Sequence, residues 1–439
     1  MKFRISLVFI SLVATAASMA IPTAAVAAPT GMTFSPANSV ATGDQDSSAI
    51  AMNRNGYVAV VWEDDRDSTN PGDNSHSEVF VHLYKDGASV YEKKLSAGGT
   101  SGTNWKHISP DVGLDDNGDA VVVWSDDPDG NGYFNVAYQV ISPTGAVLAS
   151  AHANANDAGQ QIWPKVAVDP DGTPTAPSAV AFTVVWEDIQ GTNPATIRAS
   201  GYTNAGTRAY DVTASQTSGS HHRPDVAVSA SGDGLVVWDE DADGNAYYNI
   251  GLTKLAKANG AVVLSRRTAN SFGGGQQRHA AVAANYNGDF TVAWESDHTG
   301  ALGVWERSFA SDATPRHVEV QVSTETGANS PTVGIDDQAN LVTAWTTPGN
   351  SSDVWASGFN PDGSTDGRIA PQQFSETTTG RQELIGVAVS PWGEVSVAYG
   401  DDNDGNQWDQ VMLGTGVVNS TFLSKGTYRA QATLIAPPQ

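Results

Sequence analysis

Histidine and arginine are scarce in this chain, yet several of them gather in short segments that each precede an apolar strand. The 439 residues include 9 His and only 23 Lys plus Arg. The gathered ones are His107, His221, His222, Arg223, Arg278, His279 and Arg381. An imidazole can take the proton beside a uronate carboxylate while a guanidinium neutralises that acid. His221, His222 and Arg278, together with Tyr247, are the residues such a lyase would use. No spacing among them is diagnostic, and a structural or purely binding role explains the histidines better.

The same lead-in segments share a glycine followed two residues later by an amide or imidazole. They read Gly43-Asp44-Gln45, Gly159-Gln160-Gln161, Gly219-Ser220-His221, Gly275-Gln276-Gln277, Gly327-Ala328-Asn329 and Gly380-Arg381-Gln382. A longer version runs from Gly102 through Trp105 to His107. Amides offer both donors and acceptors, as sugar hydroxyls require, and an indole can stack on a sugar face. The ligand-binding set is therefore Gln45, Trp105, His107, Gln161, Trp163, His221, Gln277, Arg278, Asn329, Arg381 and Gln382. The competing expectation is that these side chains bond to backbone and tie neighbouring blades together.

Acidic loops form the third group. They start at Glu63 (EDDRDSTNPGDN), Ser125 (SDDPDGNG), Asp239 (DEDADGN) and Gly400 (GDDNDGN). Their oxygen-rich cores suit calcium, which makes Asp126, Asp127, Asp129, Asp239, Asp241, Asp243, Asp401, Asp402 and Asp404 the candidate metal ligands. Asp239-x-Asp241-x-Asp243-Gly244 matches the start of an EF-hand, but Ile250 stands where the bidentate Glu belongs. An EF-hand is excluded. Calcium in another geometry and a plain solvated turn both remain open.

The elements that would carry these groups repeat seven times. An apolar strand, a Gly-containing turn, a Val-rich strand ending in an aromatic and an acidic loop recur in order. The aromatic falls at Trp62, Trp124, Trp186, Trp238, Trp294, Trp345 and Tyr399, at steps of 62, 62, 52, 56, 51 and 54 residues. That period, all strand and turn, predicts an all-β fold: a seven-bladed β-propeller of four-stranded antiparallel blades. In the second copy the spacing predicts strands at Asp111 to Leu114, Ala120 to Trp124, Tyr133 to Ile141 and Ala146 to Ser150. The N-terminal TGMTFSPANSVATGDQ, from Thr30, resembles the outer-strand segment from Thr144, so it is expected to complete the last blade and close the ring. The role of Gly426 to Ile435 is left open, and extra residues in the turn between the third blade's first two strands read as surface decoration.

Lys2, Arg4, the apolar run Ile5 to Ala20 and Ala25-Val26-Ala27 read as a secretory signal peptide over residues 1–27. Residues 28–439 then form one propeller domain, expected to be secreted, outside the cell or in the periplasm. The chain has no cysteine and a formal charge of −25, about −27 once Lys2 and Arg4 are removed. Such a surface disfavours nucleic acid and anionic membranes. No second run is apolar enough for membrane insertion. A glycan or protein ligand is the expected partner, and calcium the one candidate cofactor.

At the pattern V-V-W-[ED]-D-x-[DR]-D-G-N, with a Tyr/Phe-Asn-Val strand after it, the chain resembles repeats of secreted and cell-surface bacterial β-propeller proteins. The resemblance spans nearly the whole mature chain and implies a propeller and export, not a reaction. A sialidase Asp-box is only echoed by Ser231-Gly232-Asp233-Gly234 before Trp238, with the wrong spacing. Two functions are carried forward. One is a non-catalytic exported propeller binding a glycan or protein at its loop-rich acidic face. The alternative is a polysaccharide-degrading lyase or glycoside hydrolase at the channel mouth. Near-equivalent loops favour binding, and the His/Arg concentration between His221 and His279 favours catalysis.

Overall fold

The computed structural model describes residues 32–68, 76–100, 103–171, 180–349, 351–365, 369–403, 405 and 408–416. Residues 1–27, expected from the sequence to be a signal peptide, residues 172–179, Asp404 and residues 426–435 lie outside them. The chain forms seven four-stranded antiparallel sheets, six built from consecutive strands and the seventh completed from the other end of the sequence. There Met32–Pro36 pairs with Gln410–Gly416, Met32 opposite Gly416 and Pro36 opposite Met412. The ring is closed by its N-terminal strand, as the sequence predicts.

The second strand of each blade is apolar on both faces because each face meets a different neighbour. In Tyr57–Asp64, Val58, Val60 and Trp62 pack towards the seventh blade, while Ala59 and Val61 pack towards the second. Seven apolar layers result, one between each pair of adjacent blades. The repeating aromatic fills the layer shared with the preceding blade. Trp62, Trp186, Trp238, Trp294 and Trp345 are fully buried there. Truncating one such indole typically costs about 3–5 kcal/mol. This explains why the aromatic is the most regular feature of the repeat.

Both inner strands run further than their apolar cores. In blade two they span Lys106–Leu114 and Ala120–Asp127, against the predicted Asp111 to Leu114 and Ala120 to Trp124. The lead-in residues are thus strand residues, and so are the first acids after the aromatic. What hides the extension is a bulge in the innermost strand of every blade. Ser47, Ser109, Trp163, Arg223, His279 and Ser330 occupy it in blades one to six, each with φ between 48° and 56°. Left-handed backbone at a bulky residue is uncommon, and the bulge reverses which side chains face the channel.

Candidate functional site at the channel mouth

The recurring polar residues form the joints of the scaffold. Gln45, His107, Gln161, His221, Gln277 and Gln382 are all buried. The backbone N–H of each donates to a carbonyl of the preceding blade, as Gln161 does to Phe134 (3.0 Å) and His221 to Ala195 (3.1 Å). Their side chains turn back onto their own lead-in. Gln45 donates to the Thr42 carbonyl (2.8 Å), Gln161 to Ala158 (2.8 Å), Gln277 to Gly274 (2.7 Å) and Gln382 to Thr379 (2.7 Å). His221 Nε2 lies 3.1 Å from the Ser218 carbonyl, and Asn329 donates to Gly327 (3.1 Å). These side chains are spent on backbone and do not reach the channel mouth. Gly159 must be glycine here: at φ +80° an added Cβ would sit 2.1 Å from the Ile189 carbonyl oxygen.

The acids after the aromatic join the same network. Two residues on, a carboxylate accepts the indole N–H, as Asp64 does from Trp62 (2.9 Å) and Asp126 from Trp124 (2.8 Å). Asp126 also binds His107 (2.6 Å), and Asp401 accepts from Gln382 (3.0 Å). One residue on, the side chain clamps the next blade by accepting its bulge N–H. Glu63 takes Ser109 (2.6 Å), Glu187 takes Arg223 (3.2 Å) and Glu295 takes Ser330 (2.9 Å). Asp239 holds His279 in the same way, and burial pushes its carboxyl up to about 6 against the pull of His279 and Arg223.

Farther along, the loop carboxylates fold their own turns. Asp127 accepts the N–H of Asn131 (3.1 Å) and Gly132 (2.9 Å), and Asp241 that of Asn245 and Ala246, both at 3.0 Å. Asp129 and Asp243 bond Asn131 and Asn245. Among the described residues, no three His, Asp or Glu side chains converge as a metal cluster; Asp402 is not drawn into one, and Asp404 lies outside the described residues. The folded turns instead set up an aromatic. Asn131 and Asn245 accept the N–H of Tyr133 and Tyr247, both at 2.7 Å, leaving those rings 59% and 54% exposed. Trp408 holds the corresponding place in blade seven and is also exposed.

The bulges surround a cavity of about 350 Å³, lined by Ser47, Ser109, Trp163, Lys165, Arg223, Asp225, His279, Ser330 and the prolines that follow four of the bulge residues. Trp163 is 39% exposed, and the Arg223 guanidinium lies 5.2 Å from its ring centroid. Deeper in, Lys165 Nζ is 3.4 Å from Asp111. Asp225 crosses to the next blade by accepting the Val282 N–H (2.8 Å). Crowded by protein yet open to the cavity, its carboxyl is pushed to about 6, with Lys165 opposing. A second cavity, of about 180 Å³, lies at the opposite end of the channel. Arg54 of blade one reaches across it to stand 4.0 Å over the Tyr286 ring of blade five.

Of the proposed catalytic group, His221 is fully buried and Tyr247 is exposed on its loop, and neither they nor Arg278 line the mouth. His221 is held below the usual imidazole range, chiefly by burial. His222 lies one residue outside the rim, bonded to Glu187 (2.8 Å) and edge-on to Tyr248 (5.7 Å). Trp105 packs between His76 and His107 rather than at the mouth. Arg381 pairs with Glu383 (2.9 Å) and Asp409 (3.1 Å) at the ring closure. Sequence reasoning missed Lys165, Asp225, Glu187 and Tyr133. Lys165 was visible as a charge inside an apolar strand, and Tyr133 by aligning it with Tyr247. One residue outside the rim in blade one, Asp46 and Glu63 face each other in adjacent strands. Burial raises both carboxyls, and for Asp46 the Glu63 charge adds to it.

No family model and no curated protein matches the chain. Solved structures of similar shape exist at low identity. A Dyadobacter fermentans protein of unknown function is 12% identical, with 75% of this chain and 99% of that one covered at a TM-score of 0.48. A Penicillium chrysogenum alpha-L-arabinanase complexed with arabinobiose is 12% identical, covering 72% and 94% at 0.48. A NanB sialidase of Streptococcus pneumoniae is 9% identical, covering 89% and 71% at 0.47. Likeness at this level carries neither a substrate nor a residue role to this chain.

Proposed function

We propose that this is an exported glycan-binding propeller whose mouth takes an acidic sugar. The carrying observation is Trp163, a bulky residue in left-handed backbone, partly exposed on the rim with a guanidinium against its ring. A sugar can stack on the indole while Arg223, Lys165 and His279 face its carboxylate. Arg223 and Lys165 are cations that stand out on a chain of formal charge −25. Tyr133, Tyr247 and Trp408 add exposed rings at the ends of the acidic loops, which suits a polymer longer than the mouth. Export rests on the signal segment and calcium on the acidic loops, and the binding reading requires neither.

The second reading is hydrolysis of a glycosidic bond. It is favoured by the Asp46–Glu63 pair, since two facing carboxyls with raised affinity for protons can hold one acid beside one base. A panel of neutral and uronate polysaccharides separates the two, with binding and new reducing or unsaturated ends measured together. The expected result is uronate binding without chain cleavage, weakened at least ~10-fold by Trp163→Ala or Arg223→Gln. Equal binding of neutral and uronate polymers, or no effect of either substitution, refutes the acidic-sugar reading.

A further inference from the structure

Where blade three meets blade four, a serine, an imidazole and a buried carboxylate stand in a hydrogen-bonded row. His222 Nδ1 lies 2.8 Å from Glu187 Oε1, and Ser220 Oγ lies 2.9 Å from His222 Nε2. Glu187 is buried and comes from blade three, where its other oxygen accepts the Arg223 N–H (3.2 Å). An ionised carboxylate only accepts, so Nδ1 of a neutral imidazole must donate to it and Nε2 is left to accept the serine proton. This is the geometry of an activated nucleophile: base in reach of the hydroxyl, and base oriented by a third group.

The corresponding positions in the other blades cannot do this. Register places His222 level with Asp46, Ile108, Ile162, Arg278, Asn329 and Glu383. Two residues earlier, where blade four has Ser220, stand Asp44, Lys106, Gln160, Gln276, Gly327 and Arg381. Ring architecture needs neither the serine nor the histidine. Both side chains are partly exposed, and the strand leads directly to Arg223 at the mouth.

We propose that Ser220, His222 and Glu187 form an acyl-transfer centre that hydrolyses carboxylic esters. Ser220 Oγ bonds to the ester carbonyl carbon as its proton passes to His222 Nε2. The carbon–alkoxy bond breaks, and the imidazolium returns the proton to the leaving alcohol. Water then adds to the acyl-serine by the same route, releasing the acid and restoring the serine. Glu187 is the positioning residue that fixes the tautomer. Arg223, next along the strand, has its side chain 45% exposed and keeps one nitrogen 3.5 Å from Asp239, which leaves the rest of the guanidinium for the developing oxyanion.

The test uses the mature protein, a fluorophosphonate probe and p-nitrophenyl acetate, none of which depends on glycan binding. Wild-type protein is expected to carry one adduct, on Ser220, and to hydrolyse the ester above buffer. Ser220→Ala should lose the adduct and at least ~100-fold in rate at an unchanged Tm. Glu187→Gln keeps an acceptor for the Arg223 N–H, and should depress the rate and shift its pH inflection. An unlabelled, inactive wild type, an adduct elsewhere, a Ser220→Ala variant as fast as wild type, or a Glu187→Gln variant with an unmoved pH profile each overturns the proposal. Esterase activity without uronate binding would refute only the glycan reading, and the converse only this one.

Discussion

Glu306 offers a quantitative test of how this ring handles charge. Its carboxyl is fully buried in the third strand of blade five, where Thr291 donates a hydrogen bond at 3.1 Å. His317 gives no countercharge: its Nε2 is 4.0 Å away and accepts the Ser308 N–H, and burial lowers its proton affinity. Burial therefore raises the Glu306 carboxyl from the ordinary 4.5 to about 8, only partly offset by Thr291. The fold favours the protonated acid, so stability is greatest below the unfolded value and falls as pH climbs from about 4.5 to about 8. At about 1.4 kcal/mol per pH unit, that gap sets an upper limit near 5 kcal/mol.

Glu306→Gln removes the ionisation and keeps the shape. Any fixed cost of the amide is the same at every pH. Urea melts of both proteins from pH 5 to 9 should therefore diverge, the variant gaining on the wild type by roughly 4 kcal/mol across that range. For a domain of this size the relative shift is about 5 °C in Tm. Comparing the two proteins isolates Glu306 from Asp46, Asp239 and Asp409, whose raised carboxyls give the same sign in both. Parallel stability curves over the whole range would refute the argument, because they would mean that Glu306 reaches water or a cation.

Three other outcomes bear on the scaffold. Gln161→Ala should lower stability by about 1–3 kcal/mol, since Asn154 and Asp188 lose a buried partner, while polysaccharide affinity of the folded fraction stays unchanged in a binding titration. Gly380→Ala should destabilise by more than about 2 kcal/mol in denaturant melts, because φ is +78° and the Cβ would meet the Asp402 carbonyl at 1.8 Å. Millimolar calcium should leave Tm unchanged, because both oxygens of Asp127 and of Asp241 already accept loop N–H groups. An upward shift would show that these loops rebuild around the ion.

The architecture was legible because blade packing imposes a rule on residue type. A strand with a neighbour on each face must be apolar throughout, and a layer of fixed thickness keeps one large aromatic in place. Orientation of the polar residues was not legible. Gln161 is buried and Ile162 next to it is partly exposed, the reverse of what polarity suggests. The cause is the bulge at Trp163, which adds a residue in left-handed backbone and changes the parity of everything before it. The bulge residue's own type gives no sign of it, because Ser, Trp, Arg and His all occupy the position, and the proline that follows it is present in only four blades. The lead-in amides and strand-end acids therefore resembled a ligand set while serving as joints.

Recurrence itself separates the joints from the site. Each blade meets its neighbours through the same interface, so a residue needed there recurs around the ring, as the glycine, the buried amide and the strand-end carboxylate do. A ligand lying across the mouth has no sevenfold axis, so the residues that read it must break the repeat. The break is concentrated in blades three to five. Trp163, Lys165, Arg223 and Asp225 have no counterparts of the same chemistry in most other blades, and the Ser220–His222 pair has none at the corresponding positions. Glu187 connects the two classes: one carboxylate oxygen performs the joint seen in blades one and five, and the other holds an imidazole that no joint requires. A scaffold residue with one bond to spare is a short route from architecture to chemistry, because its position is fixed before any ligand arrives.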